Sequence, residues 1–281
     1  VKYHSASSFR AAIDARLKRY AAEHGQAALA RQRKRIVFDR FLARLIQAAP
    51  GEWTLKGGVA LDYRLGEKAR ATRDLDLLHN PDVDALGNEL ADAESMDLGD
   101  FFQFSIQRTD KLDSLTDGSA IRYHVLADLD SRQFERFIVD VGFDQPGPFR
   151  PESMHREGFL VFAGVASPPF PTLPIEVHLA EKVHAYARIY SGGNSSRVKD
   201  LIDMVLIGTT QSLSANSCRL ALEHIHIARR ACGSISPRSS TDRMDDSLPG
   251  TGRVSSTRFR HCERPCLCGQ DARSAAFRGR R

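Results

Sequence analysis

The segment Phe137-Ile-Val-Asp-Val-Gly-Phe143 constrains the fold more than any other in the chain. Phe137, Val139, Val141 and Phe143 recur at every second residue, which makes one face of an extended strand apolar and leaves Ile138, Asp140 and Gly142 on the other. This alternation needs a sheet with one face against a core. Asp140 is the informative residue. Burying a carboxylate without a partner costs roughly several kcal/mol, so Asp140 either faces water from an edge strand or meets a cation. Asp74-Leu-Asp-Leu-Leu repeats the arrangement. Asp74 and Asp76 project together from one face while Leu75 and Leu77 turn to the core.

Helices are expected on both sides of these strands. Phe9 to about His24, capped by Ser7 or Ser8 and ended by Gly25, carries Ile13, Leu17 and Tyr20 on one stripe. A second helix runs from Gln26 to Ala49, with Ile36, Phe38, Phe41, Leu42, Leu45 and Ile46 at core spacing. Its run Arg31-Gln-Arg-Lys-Arg35 is a solvated face or a phosphate contact. Trp53 to Lys56 is a short strand, and Gly57-Gly58 opens the helix that follows. A glycine pair there lets backbone N–H groups approach an anion. Arg64, Lys68, Arg70 and Arg73 precede the carboxylates. An acidic surface helix is expected from Asp84 to Met96, and further strands over residues 101–107, 120–127 and 159–165. Ser167-Pro-Pro-Phe-Pro-Thr-Leu-Pro174 reads as a stiff connector. Beyond it lie helices from Pro174 to Tyr190, with Lys182 beside the apolar stripe, from Ser195 to Ile207, and from Leu213 to Ala228. The middle one places Val198, Leu201, Ile202, Val205 and Leu206 on its core side and Arg197, Lys199, Asp200 and Asp203 opposite.

The chain therefore reads as α/β (α+β), with two N-terminal helices and a mixed sheet over residues 1–170 and a helical C-terminal region over residues 171–228. Residues 229–281 read as a tail that is disordered or translated from a shifted frame, because they are rich in Ser, Arg, Gly and Pro and poor in aliphatic residues. From Ile227 onward there are twelve Arg, no Lys and five acidic residues. The net charge of +5 thus belongs to the tail, and a pI of about 9.0 says little about the folded part. With no apolar run near the roughly 18 residues a membrane span needs and no signal-type segment, a cytoplasmic protein without membrane contact is expected.

Several chemistries find no support. There is no Gly-x-Ser-x-Gly, no Gly-x-Gly-x-x-Gly and no Gly-x4-Gly-Lys-Ser/Thr, which disfavours triad hydrolases, dinucleotide enzymes and P-loop NTPases. His79, His178 and His184 read as surface or packing residues. Cys262, Cys266 and Cys268, with His261 ahead of them, fit no common zinc spacing. What remains is an ordered set: Gly57-Gly58, Asp74 and Asp76, Asp140, Lys182, and Lys199-Asp200-x-x-Asp203. Taken singly, Lys199 and Asp203 could be an i,i+4 ion pair and Lys182 a surface lysine. Taken together, carboxylates beside a glycine turn suit a divalent cation carrying a nucleoside triphosphate.

The segments Lys56-Gly-Gly-Val-Ala-Leu, Ala71-Thr-Arg-Asp-Leu-Asp-Leu, Phe137-Ile-Val-Asp-Val, Glu176-Val-His-Leu-Ala-Glu-Lys-Val-His-Ala-Tyr and Arg197-Val-Lys-Asp-Leu-Ile-Asp resemble the AbiEii/AbiGii toxin family. These are nucleotidyltransferases of the DNA polymerase beta superfamily and include the MenT-type toxins. The likeness covers residues 9–228; where the family usually has Gly-Ser, this chain has Gly57-Gly58. The resemblance implies that Asp74, Asp76 and Asp140 hold one or two Mg²⁺ (or Mn²⁺) ions and that Gly57, Gly58, Arg73 and Lys182 bind the triphosphate. Asp200 or Asp203 would be its downstream acidic residue, with Lys199 assisting. Asp74, Asp76, Lys182 and Asp200 are the catalytic candidates, and Gly57, Gly58, Arg73, Lys182, Lys199 and Asp203 the nucleotide-binding ones. It implies NMP transfer from an NTP to RNA, in some relatives to the tRNA 3′ end, by the toxin of a type IV toxin–antitoxin pair whose AbiEi-type antitoxin is encoded separately. Transfer to a protein or small molecule, and a degenerate member that only binds nucleotide, are the alternatives.

Overall fold

A computed structural model of the chain describes residues 1–79, 83–111, 120–143, 147–187 and 197–233. Seven strands form one mixed sheet in the order β3-β4-β5-β2-β1-β7-β6. These are β1 (Trp53–Lys56), β2 (Asp74–His79), β3 (Phe102–Lys111), β4 (Ala120–Leu129), β5 (Arg132–Gly142), β6 (Glu152–Met154) and β7 (Phe170–Thr172). β2 pairs parallel with β5 and β1 parallel with β7; the other neighbours are antiparallel.

The alternation read from the sequence decides which face is covered. Trp53, Leu55, Leu75, Leu77, Val125, Phe137, Val139 and Val141 are buried in one cluster with Phe9, Ile13 and Leu17 of α1 (Ala6–His24) and Ile36, Phe38, Phe41 and Leu45 of α2 (Gln26–Ala48). Leu86 and Leu90 of α4 (Val83–Ser95) join it, so the helix expected to lie on the surface is partly core. The opposite face carries Lys56, Asp74, Asp76, Asp140 and Arg122, all only half-buried. It is covered at Leu78, where Val177 and Ala180 of α5 (Ile175–Ala187) and Ala221 and Ile225 of α7 (Ala215–Gly233) pack. One face thus holds the molecule together, and the other is left partly open.

Three expectations need correction. Residues 159–165 do not form a strand; Phe159–Ala163 is a 3₁₀ turn ended by Gly164 in the left-handed region. A short apolar run has no periodicity that separates strand from buried turn. The proline-rich connector contains β7, whose Thr172 is in register with Leu55 of β1. Phe170–Thr172 thus form a strand in the stretch expected to hold the division between residues 170 and 171.

The third correction concerns α6 (Val198–Thr210), which is rotated from its expected phase. Of the five residues expected on the core side, Leu206 packs against the core while Val198, Leu201, Ile202 and Val205 are exposed, and Asp203 and Ile207 are buried. Ile207 packs with Leu61, Leu65, Ala69 and Ile175, and Asp203 finds two cations, described below. α7 runs through residues 229–233 of the expected tail. The remainder of that tail, with the three clustered cysteines, lies outside the described residues.

Candidate active site

The site begins with a turn that only glycine can make. Lys56 is the last residue of β1 and the N-cap of α3 (Gly57–Leu65). Gly57 has φ +63°, and a Cβ there would fall onto the Asp76 carboxylate. A Cβ on Gly58 would stand 2.7 Å from the Thr72 hydroxyl. The pair therefore lets the start of α3 close down on β2 at Asp76 and Thr72; the first-turn N–H groups of a helix have no intrahelical partner. Thr72 holds the approach to β2 by donating to the Asp74 carbonyl at 3.3 Å.

Strand pairing then gathers residues far apart in sequence. Lys56 is in register with Asp76, Asp76 with Asp140, and Asp140 with Arg122. Four neighbouring strands thus contribute a row of lysine, aspartate, aspartate and arginine. Asp140 accepts two guanidinium bonds from Arg122, Nε to Oδ1 and Nη2 to Oδ2, both 2.7 Å. The Lys56 ammonium lies 3.8 Å from Glu181 of α5. Burial pushes the Asp76 carboxyl up to about 6; Lys56 opposes this, while the charges of Asp140 and Asp74 add to it. Asp76 thus carries too much negative charge nearby for its degree of burial.

Asp74 and Asp76 suit a hard divalent cation, since they are oxygen donors two residues apart on one strand face, and such an ion would offset the burial, and the lesser repulsion, that raise Asp76. No group of three or more His, Cys, Asp or Glu side chains arranged to hold a metal ion is found among the described residues. Asp140, the third metal ligand expected from the sequence, has both oxygens on Arg122.

The helices supply the cations. Lys182 of α5 is buried, with its ammonium 2.8 Å from Asp203 and 3.2 Å from Asp200. Asp203 is fully buried and also takes Arg70, through Nε at 2.9 Å and Nη2 at 2.9 Å. Arg197 reaches Asp200 at 3.3 Å. Asp203 thus sits behind Lys182 rather than pairing with Lys199, which is exposed, as is Arg73. This need for an inward carboxylate accounts for the rotated phase of α6. His178, one turn before Lys182, is buried with neither ring nitrogen hydrogen-bonded to the protein. Burial lowers its pKa, and Lys182, Arg64, Lys56 and Arg70 lower it further, so it adds no charge to the site. His79, expected to be a surface or packing residue, is buried and pairs with Glu89 at 2.7 Å.

Lys56, Arg70, Thr72 and Arg122 were not among the site residues expected from sequence. Lys56 and Arg70 lie inside the quoted segments or the basic cluster, but only the register of β1 and the phase of α6 give them partners. The basic run on α2 is half-buried to buried and its side chains turn onto carboxylates. Arg31 and Arg35 turn onto Asp62 of α3, which Arg156 also reaches.

The AbiEii profile, described as nucleotidyl transferase toxin of a type IV toxin–antitoxin system, matches residues 40–275. That match continues past Ala228, where the resemblance of the quoted segments ends. Among solved structures, MenT4, a nucleotidyltransferase toxin from Mycobacterium tuberculosis H37Rv, is 21% identical with a TM-score of 0.56, covering 74% of this chain and 68% of that one. This likeness is one of fold. JHP933 from Helicobacter pylori is 14% identical with a TM-score of 0.39 over 69% of this chain and 88% of its own. A nucleotidyltransferase-like protein from Paracoccidioides brasiliensis is 15% identical at 0.40 over 72% and 91%. No curated protein sequence matches the chain.

Proposed function

The chain belongs to the AbiEii family of nucleotidyl transferase toxins of type IV toxin–antitoxin systems, and from that premise we propose that it transfers the NMP of an NTP to RNA, at the tRNA 3′ end, and so blocks translation. The observation that carries this reading is the placing of Asp74 and Asp76 on the open face of the sheet, against the glycine turn of α3. Asp74 and Asp76 would hold Mg²⁺ or Mn²⁺. When bound, the cation would offset triphosphate charge and favour an ionised acceptor hydroxyl.

The protein's own groups do the remaining work. The N–H groups at Gly57 and Gly58 bind phosphate oxygens. Lys182 supplies positive charge to the triphosphate, and Asp200 and Asp203 fix its ammonium. Arg70 shares the charge of Asp203, which leaves Lys182 a net donor to substrate. Arg73 and Lys199, exposed near the site, contact nucleotide or acceptor from outside. The type IV assignment implies a cognate antitoxin, encoded separately. No described helix is long and apolar enough to cross a membrane.

The test is incubation of labelled ATP, CTP, GTP and UTP with total tRNA and Mg²⁺, wild type beside Asp74→Ala. Label entering tRNA from one or more nucleotides, and absent with the variant, is expected. Label entering protein instead would move the acceptor assignment, and no transfer by the wild-type chain to any acceptor would overturn the reading.

A further inference from the structure

Asp140 lies in register between Asp76 and Arg122, and its chemistry depends on which neighbour it serves. Each carboxylate oxygen has two lone pairs, so a guanidinium bond does not by itself bar a metal, but an ion on Asp140 would stand beside the Arg122 charge that already neutralises it. Here both oxygens are taken by one guanidinium at 2.7 Å, the fork geometry that makes arginine–carboxylate pairs strong. Arg122 gives this pair Nε and Nη2, and Nη1 is not used in it. Its side chain keeps 34% of its exposure, against 20% for Asp140. A guanidinium held on one edge and open to solvent on the other is preorganised for an anion.

The charges along the row agree. Lys56, Asp76, Asp140 and Arg122 balance one another, and Asp74 adds one negative charge. The carboxylates that no guanidinium occupies are thus Asp74 and Asp76, two donors for one divalent cation.

Resting on the nucleotidyltransferase reading, we propose that Arg122 is a phosphate-contacting residue of the transfer site, that Asp140 is its positioning residue, and that the site takes one protein-bound divalent cation rather than two. Arg122 then supplies the positive charge that a second metal would otherwise bring. It accepts negative charge from the transferring or departing phosphate without titrating, because a guanidinium stays protonated. Asp140 keeps the fork in one orientation, so the arginine need not be ordered when the nucleotide arrives.

Mn²⁺ binding followed by electron paramagnetic resonance, without nucleotide, reads the cation sites directly. The wild-type chain is expected to bind one Mn²⁺. Asp76→Asn should weaken binding at least about tenfold, whereas Asp140→Asn should stay within about twofold of wild type. Binding of each Mn–NTP is then compared for Arg122→Ala and Arg122→Lys. Both should lose roughly tenfold in NTP affinity while Mn²⁺ affinity is kept or rises; the lysine variant keeps the charge but not the fork. Two Mn²⁺ ions per wild-type chain, or an Asp140→Asn loss equal to that of Asp76→Asn, would overturn the proposal. So would unchanged NTP binding in both Arg122 variants. If the wild-type chain bound Mn²⁺ yet transferred no NMP to any acceptor, the nucleotidyltransferase reading would fall, and the metal count would still judge the role of Asp140.

Discussion

Asp62 and Asp76 are carboxylates of the same unit, both drawn out of bulk water, and they titrate in opposite directions. Burial raises Asp62, but hydrogen bonds from Arg35 and Arg31 and the charge of Arg156 outweigh it, so the group is held below its ordinary value. Burial raises Asp76 too, and there Lys56 and Lys182, at a distance, are set against two further carboxylates with no hydrogen-bonded guanidinium, so it rises to about 6. Asp62 joins α2, α3 and the loop carrying Arg156, and its charge is more than met. Asp76 joins β1, β2 and β5, and its charge is left unmet. Asp62 arrives with its counterions; Asp76, on the proposed reading, takes its partner from outside. Asp203, with Lys182 and Arg70, belongs to the first kind although it lies beside the site.

The comparison can be broken in order of expected effect. On the proposed reading, in which Asp76 holds the cation, Asp76→Asn should lower NMP transfer by roughly 10³-fold or more; single-turnover rates measure it, and a loss below tenfold would place the chemistry elsewhere. Asp62→Ala should cost about 3–5 kcal/mol in urea unfolding, because three guanidiniums lose their shared partner. Transfer per folded molecule should hold. On α6, Ile207→Ala should cost about 2–4 kcal/mol, whereas Val205→Ser should stay within about 0.5 kcal/mol. Equal costs would restore the apolar-inward phase. Gly58→Ser should cost about 1–3 kcal/mol through overlap with the Thr72 hydroxyl and Cβ, and Thr72→Gly in the same chain should recover part of it where Thr72→Ala, which keeps the Cβ, recovers less; no difference between the two would mean the turn is held by something else.

Much of this site was legible from residue spacing. Two aspartates at i and i+2 between leucines, and one between valines, already specify carboxylates on the uncovered face of a sheet. The pairing of those strands was not legible. Nothing in the spacing places Lys56 opposite Asp76 or Arg122 opposite Asp140, because register between strands is set by the whole sheet and not by local periodicity. The buried arginines of α2 were hidden for a similar reason. Arg35, Arg40 and Arg44 are buried because Asp62 and Asp100 meet them, and hydropathy alone assigns arginine to the surface. α6 shows the limit most clearly: its apolar stripe Val198-Leu201-Ile202-Val205 points outward. Burying Ile207, and satisfying Asp203 with Lys182 and Arg70, sets the rotation instead.

The central claim is that Asp76 is under-compensated until a cation arrives, and stability against pH tests it most directly. A carboxyl raised from its ordinary value of 3.8 to about 6 keeps its proton in the folded state where the unfolded chain has lost it. Its contribution is therefore present at low pH and is lost as pH rises from about 4 through 6, by at most about 3 kcal/mol. Urea unfolding of wild type and Asp76→Asn in EDTA should give curves that diverge over that range, with the variant the more stable at pH 7. Excess Mg²⁺ should close the gap by stabilising only the wild type. Parallel curves from pH 4 to 7, with no response to Mg²⁺, would contradict the account.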